Sequence, residues 1–168
     1  MKIKLSIGQL VELIMRRGDI DSRYVSKGRM WEGAKAHREL QKANGELFED
    51  YRSEVTLALE YSLEGVDYIL EGRADGIFSE EGLWVIDEIK TTTFPLLDLT
   101  EDFNPTHWAQ DQCYGYIWAL QNDLPEIAVQ LTYYHIESTE IKQFRRTFSL
   151  AELEEFLVGL LEGYSVWA

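Results

Sequence analysis

DYILEGRADGIF (residues 67–78), SEEG (79–82) and LWVIDEIKT (83–91) read as strand, turn and strand. A polar turn ending in glycine joins the two runs, as a hairpin requires. Folded about that turn, Asp75 and Glu88 are roughly equidistant from it and lie side by side. Side chains alternate across a strand, so Glu88 and Lys90 share one face while Asp87 and Ile89 share the other. Two carboxylates held close repel each other, and a divalent cation relieves the repulsion. Asp75, Glu88 and the backbone carbonyl of Ile89 supply the oxygen ligands that suit Mg2+ or Mn2+. Lys90 can then orient an attacking water or stabilise charge on a phosphate.

Working outward, residues 52–61 (RSEVTLALEY) alternate Val55, Leu57 and Leu59 against polar neighbours. They read as a third strand, with Gly65 marking the turn, and the three form an antiparallel meander. Beyond a loop from Thr92 to Asn104, Pro105 opens a long helix, THWAQDQCYGYIWALQ. Residues 127–136 and 140–148 give two more strands, and Ser149 caps a final helix with Glu152 at the capping-box position. Upstream, Ser6 caps a helix running through Arg17, residues 18–27 form a polar connection, and a second helix runs from Gly28 to Asn44. The order α, α, β, β, β, α, β, β, α predicts an α/β fold, a mixed sheet flanked by helices. No repeat or Pro/Ser-rich linker interrupts it, and residues 1–168 read as a single domain.

Two helical pairs add chemistry. Gly33 and His37 lie one turn apart, so the backbone can approach closely beside an imidazole able to ligate a metal or donate to a phosphate. Gln112 and Tyr116 lie at i, i+4 on the long helix, an amide and a phenol that can both bond phosphate oxygens. Taken singly, His37 reads as a surface or capping histidine, Gln112 and Tyr116 read as ordinary helix packing, and a Glu-x-Lys in one strand is commonplace.

Taken together, G33-AKA-H37, G72-RA-D75, E88-I-K90-T91 and Q112-CYG-Y116 fall in chain order on helix, strand, strand and helix. This sequence resembles the RecB-like branch of the PD-(D/E)XK nuclease superfamily, whose pattern is GxxxH, GxxD, D/E-x-K-T and QxxxY. The resemblance covers residues 28–148. It implies a restriction-endonuclease-like core acting on DNA with Mg2+ or Mn2+. By position, His37, Asp75 and Glu88 become metal ligands and Lys90 the catalytic lysine, with Gln112 and Tyr116 helping to hold Lys90 and the DNA backbone. Ala74 stands where the superfamily's name motif has proline. Some members of the branch hold an iron–sulphur cluster with four cysteines; this chain has one, Cys113, so it should be free of a cluster. Cys113, in an apolar helix, reads as core.

The 168 residues carry a net charge of −14. Ten basic residues face five acidic ones in residues 1–45, against six and 25 thereafter, so the chain is electrically lopsided. Arg29, Lys35 and Arg38, with Arg23 and Lys27, are the expected contacts to a DNA backbone. Trp31 and Trp108 read as core, with base stacking the alternative role. No apolar run approaches the roughly 18 residues of a membrane span, and the N-terminus lacks a signal-peptide cleavage site, so no membrane is expected and the location is cytoplasmic. Three functions compete on these observations. The first is a nuclease acting on DNA ends or single strands, an exonuclease of repair or recombination. The second is a nuclease-fold module that needs a helicase domain or subunit to bind DNA, which the acidic charge favours. The third, an acidic DNA mimic, leaves the ordered motifs unexplained.

Overall fold

The computed structural model describes residues 1–15 and 27–167, and the side chains of residues 1–15 and 31–166. In chain order the elements are β1 (Lys2–Ser6), α1 (Ile7–Met15), α2 (Lys27–Leu47), β2 (Arg52–Leu63), β3 (Val66–Glu80), β4 (Leu83–Thr92), α3 (Pro105–Gln121), β5 (Glu126–His135), β6 (Ile141–Ser149) and α4 (Leu150–Trp167). The expected end of the first helix at Arg16 and Arg17, and the polar connection as far as residue 26, lie outside the described residues.

The meander forms through two tight hairpins. Leu63 pairs with Val66 and Glu80 with Leu83, leaving only Glu64–Gly65 and Glu81–Gly82 as turns. All four turn residues have φ between 50° and 83°. That is the primed-turn geometry whose twist matches the flanking strands, and it explains a glycine at the second turn position. Ser6 and Gln9 bond reciprocally at the start of α1, as do Ser149 and Glu152 at α4. Asn104 caps α3 ahead of Pro105, accepting from the Thr106 N–H. Each such cap is worth about 1 kcal/mol.

The described strands form one six-stranded mixed sheet in the order β1-β3-β4-β5-β6, with β2 also on β3. β1 was not expected from the sequence. Five residues with only Ile3 and Leu5 turned inward give too short an alternation to separate from the helix that follows, and its ladder is supplied from afar, by β3 residues 67–71. β2 occupies one edge of β3 along almost its whole length, from Val66 to Ile77. The other edge is shared. β1 runs parallel to residues 67–71, and β4 runs antiparallel to residues 76–80. Between them Gly72, Arg73, Ala74 and Asp75 have no strand partner on that edge, and a gap opens in the sheet.

Alternation along β3 also breaks there. Leu70, Ala74 and Ile77 all join the main core, whereas Phe78 joins a second cluster on the opposite side. Across from Asp75, Glu54 takes φ 52°, which interrupts β2 at the same level. On the main side α1, α3 and α4 bury Leu10, Ile117, Leu153, Leu157 and Leu161 against Leu57, Ile86, Val129 and Leu131. On the other, Phe48 and Tyr51 cover Phe78, Val85 and Ala128. Cys113 is core, as expected. No described helix is long and apolar enough to cross a membrane.

Candidate active site

The gap in the sheet is where the chemistry-bearing residues meet. Pairing of β3 with β4 stops at Gly76 and Asp87, one step before Asp75 and Glu88. Each then satisfies the other's strand with its side chain. The Asp75 N–H donates to Glu88 Oε1 at 3.2 Å, and the Ile89 N–H donates to Asp75 Oδ2 at 2.7 Å. A residue's N–H and C=O point to the same edge of its strand, so the Ile89 carbonyl opens into the same gap.

Lys90 lies beside this pair. Its Nζ is 3.7 Å from Glu88 Oε2 and donates to Gln110 Oε1 at 3.0 Å. Gln110 Nε2 in turn donates to the Tyr114 hydroxyl at 3.0 Å. Tyr114 lies directly over Gly72 and meets the backbone of Arg73, closing the gap from the α3 side. A Cβ on Gly72 would stand 2.4 Å from the Tyr114 ring, so glycine there is a steric requirement. From the opposite end, α2 brings His37 Nδ1 to 3.9 Å from Asp75 Oδ1. One turn on, Gln41 Nε2 donates to the Asp75 carbonyl at 2.9 Å and to Glu54 at 3.0 Å. Gly33 allows this approach: its missing Cβ would sit 3.3 Å from Thr91 Oγ1.

The electrostatics favour added positive charge. Burial, reinforced by Asp75, lifts the Glu88 carboxyl to about 8. Burial also raises Asp75, against the pull of the Ile89 N–H, His37 and Lys90. A third acid, Asp111 on α3, is fully buried with no hydrogen-bond partner on either oxygen. Burial, reinforced by Glu88, pushes its carboxyl well above the ordinary range. Asp87 is different. It points to the opposite layer, accepting from Thr132 Oγ1 at 2.7 Å and Gln130 Nε2 at 3.2 Å.

The structure therefore brings His37, Asp75, Glu88, Ile89 and Lys90 together. It does not bring Gln112 and Tyr116 to them. The Tyr116 hydroxyl donates to Glu154 on α4, beside Tyr61. Residues two apart on a helix are separated by about 200°, which turns Gln112 away from the site that Gln110 faces. QxxxY occurs twice in overlapping register, as Gln110/Tyr114 and Gln112/Tyr116. The first pair reaches the lysine. Asp111 and Gln41 carried no sequence signal of their own. Of the expected DNA contacts, Lys35 and Arg38 are exposed, with Lys35 beside Glu39 and over the Trp31 ring. Lys35 projects from α2 roughly opposite His37, and Arg38 about 100° from it. Arg23 and the side chains of Lys27 and Arg29 lie outside the described residues. Trp31 is 63% exposed, contrary to its expected place in the core, whereas Trp108 is buried beneath Arg146.

Residues 6–163 match the model of the PD-(D/E)XK nuclease superfamily. The six-stranded mixed sheet flanked by helices is accordingly restriction-endonuclease-like. No curated protein sequence is matched significantly. Among solved structures, SSO0001 shares the fold at TM-score 0.60 and 19% identity, over 95% of this chain and 75% of that one. An alkaline exonuclease from Laribacter hongkongensis aligns at TM-score 0.52 and 14% identity, over 96% of this chain and 88% of that one. A phage-related exonuclease from Haemophilus somnus aligns at TM-score 0.51 and 10% identity, over 96% and 91%.

Proposed function

The chain belongs to the PD-(D/E)XK nuclease superfamily, and on that premise we propose that it is a divalent-metal-dependent deoxyribonuclease of the RecB-like branch, an exonuclease acting on DNA ends or single strands in the cytoplasm. The observation that carries this reading is Lys90 fixed by Gln110 beside Glu88, with Asp75 interlocked with Glu88 in the sheet gap. DNA repair or recombination is the corresponding role.

Nucleases of this superfamily generally use divalent metals. The residues present fit one. Half-buried Asp75 and buried Glu88 are adjacent and both raised by burial, and Asp111 adds an unpartnered buried carboxyl nearby. Among the described residues no three His, Cys, Asp or Glu side chains form a finished cage. Mg2+ keeps several waters and takes one or two carboxylates, which Asp75 and Glu88 can supply. Asp75, Glu88 and the Ile89 carbonyl would hold the ion, with His37 beside Asp75. When bound, it supplies Lewis-acid charge and an acidified water.

The chain's own residues do the rest. Gln110 and Tyr114 keep the Lys90 ammonium within reach of a phosphate oxygen or an attacking water, where a preorganised charge stabilises the transition state. Asp75 is locked by the Ile89 N–H and, through its carbonyl, by Gln41, so its ligating geometry exists before substrate arrives. End-labelled single- and double-stranded DNA, incubated with Mn2+ or with EDTA, tests the reading. Metal-dependent release of terminal nucleotides supports it, and absence of any metal-dependent cleavage overturns it.

A second reading is a module that depends on a helicase domain or subunit for its hold on DNA. The net charge of −14 favours it, as does the placement of Lys35 on the side of α2 away from His37. Tight, salt-sensitive DNA binding by the isolated chain would count against that dependence.

A further inference from the structure

Phe94 and Phe103, on the loop that follows the catalytic strand, expose two aromatic rings beside the site. They are 41% and 40% exposed, with ring centroids 5.1 Å apart. Phe103 packs edge-on against Tyr133 at 6.0 Å, and Tyr133 is the β5 residue in register with Lys90. Phe94 lies four residues beyond Lys90, at most about 14 Å of extended chain.

This loop is strapped down. Lys142 Nζ donates to the carbonyls of Leu96 and Leu99, and Trp108 Nε1 donates to that of Glu101. The Phe94 N–H is held by Thr92, and Arg146 pairs with Glu101 at 3.2 Å. Half-exposed phenyl rings held this firmly keep apolar surface in water that a slack loop would fold away. The loop carries Asp98, Glu101 and Asp102 and no basic residue between Thr92 and Asn104. It therefore offers phosphates no cationic side chain, while its two rings can hold the uncharged face of a base.

We propose that Phe94 and Phe103 form a stacking platform for an unpaired nucleobase a few nucleotides from the scissile phosphate, so that the substrate is a single strand or a frayed end. At about 3.4 Å per stacked nucleotide, the platform lies within roughly four nucleotides of Lys90. The inference rests on the nuclease reading of the site.

The test pairs protein and DNA changes. Binding of a fluorescent single-stranded oligonucleotide is measured in EDTA at low salt, for wild type, Phe94→Ala and Phe103→Ala, with normal DNA and with single abasic sites scanned near the labelled end. Base–aromatic stacking predicts a loss of about 5- to 150-fold for either change alone. Combining a variant with the critical abasic site should cost little more than either alone. Phe103→Trp should retain binding, which separates stacking from folding. The platform is overturned if wild type does not bind the single strand, if no abasic position weakens it, or if the two losses multiply. Cleavage assays with Mn2+ keep the readings apart. Base-dependent binding without cleavage sinks the nuclease assignment alone; cleavage without base dependence sinks the platform alone.

Discussion

Gln110→Ala and Gln112→Ala should behave very differently, although each removes the glutamine of a QxxxY pair. Gln110 accepts from Lys90 Nζ at 3.0 Å and donates to Tyr114 at 3.0 Å. A hydrogen bond to a charged group is worth about 1.5–3 kcal/mol. The Lys90 side chain is 25% exposed, so water replaces part of the lost bond and the lower figure applies. About 1.4 kcal/mol is a tenfold loss of rate. Lys90 freed from Gln110 also loses its alignment, and displacement of a catalytic group by an ångström can cost up to about 100-fold. The expected result for Gln110→Ala is a fall in kcat of about 10- to 100-fold with KM little changed, since no ground-state contact is removed. Gln112→Ala should stay within about twofold of wild type in rate, because half-buried Gln112 is turned about 200° around the helix from Gln110 and so away from Lys90. Initial rates on an end-labelled oligonucleotide at saturating Mn2+ decide the matter, with thermal melts confirming that both variants fold. A larger loss for Gln112→Ala, or an unaltered rate for Gln110→Ala, would refute the assignment of the helix.

Three further outcomes follow from the same geometry. Gly72→Ala should destabilise the protein by about 1–3 kcal/mol, because its Cβ would stand 2.4 Å from the Tyr114 ring; urea unfolding measures this, and a neutral substitution would mean Tyr114 does not lie there. Without metal, stability should fall as pH rises from about 4.5 to about 8. Glu88 is raised from 4.5 to about 8 in the folded state, so over that window the native protein binds more protons than the unfolded chain. Asp87, raised to about 6, adds to the loss between 3.8 and 6. Saturating Mn2+ should flatten the slope, and melts across pH with and without the ion would expose a failure to do so. Tyr116→Phe removes a hydrogen bond to Glu154 far from Lys90. It should cost about 1 kcal/mol of stability and leave the cleavage rate unchanged.

Much of this fold was readable because local rules and tertiary structure agree. The three-strand meander shows in the alternation of Val55, Leu57 and Leu59, and in Gly65 and Gly82 at turns that need positive φ. Ser6 and Ser149 cap the helices that their sequences announce. What was hidden depends on distant partners. β1 exists because β3 offers it a free edge, information that residues 2–6 do not contain. The two QxxxY registers are equally good helix, and only the placement of α3 over Gly72 brings Gln110 to the lysine. Asp111 looks like any helical acid until its burial next to Glu88 is seen. Trp31 shows the converse: an aromatic residue of a type common in cores is exposed, because α2 packs through Ala36 and the His37 side and leaves the opposite side in solvent.

Lys90 is the group on which the proposed cleavage depends most directly. Single-turnover cleavage of end-labelled single-stranded DNA at saturating Mn2+, by wild type and Lys90→Ala at matched protein concentration, isolates its contribution from binding. The geometry predicts cleavage by wild type and a loss of at least about 100-fold in Lys90→Ala, the magnitude of a lost electrostatic or proton-transfer group. Cleavage by Lys90→Ala at the wild-type rate would contradict it.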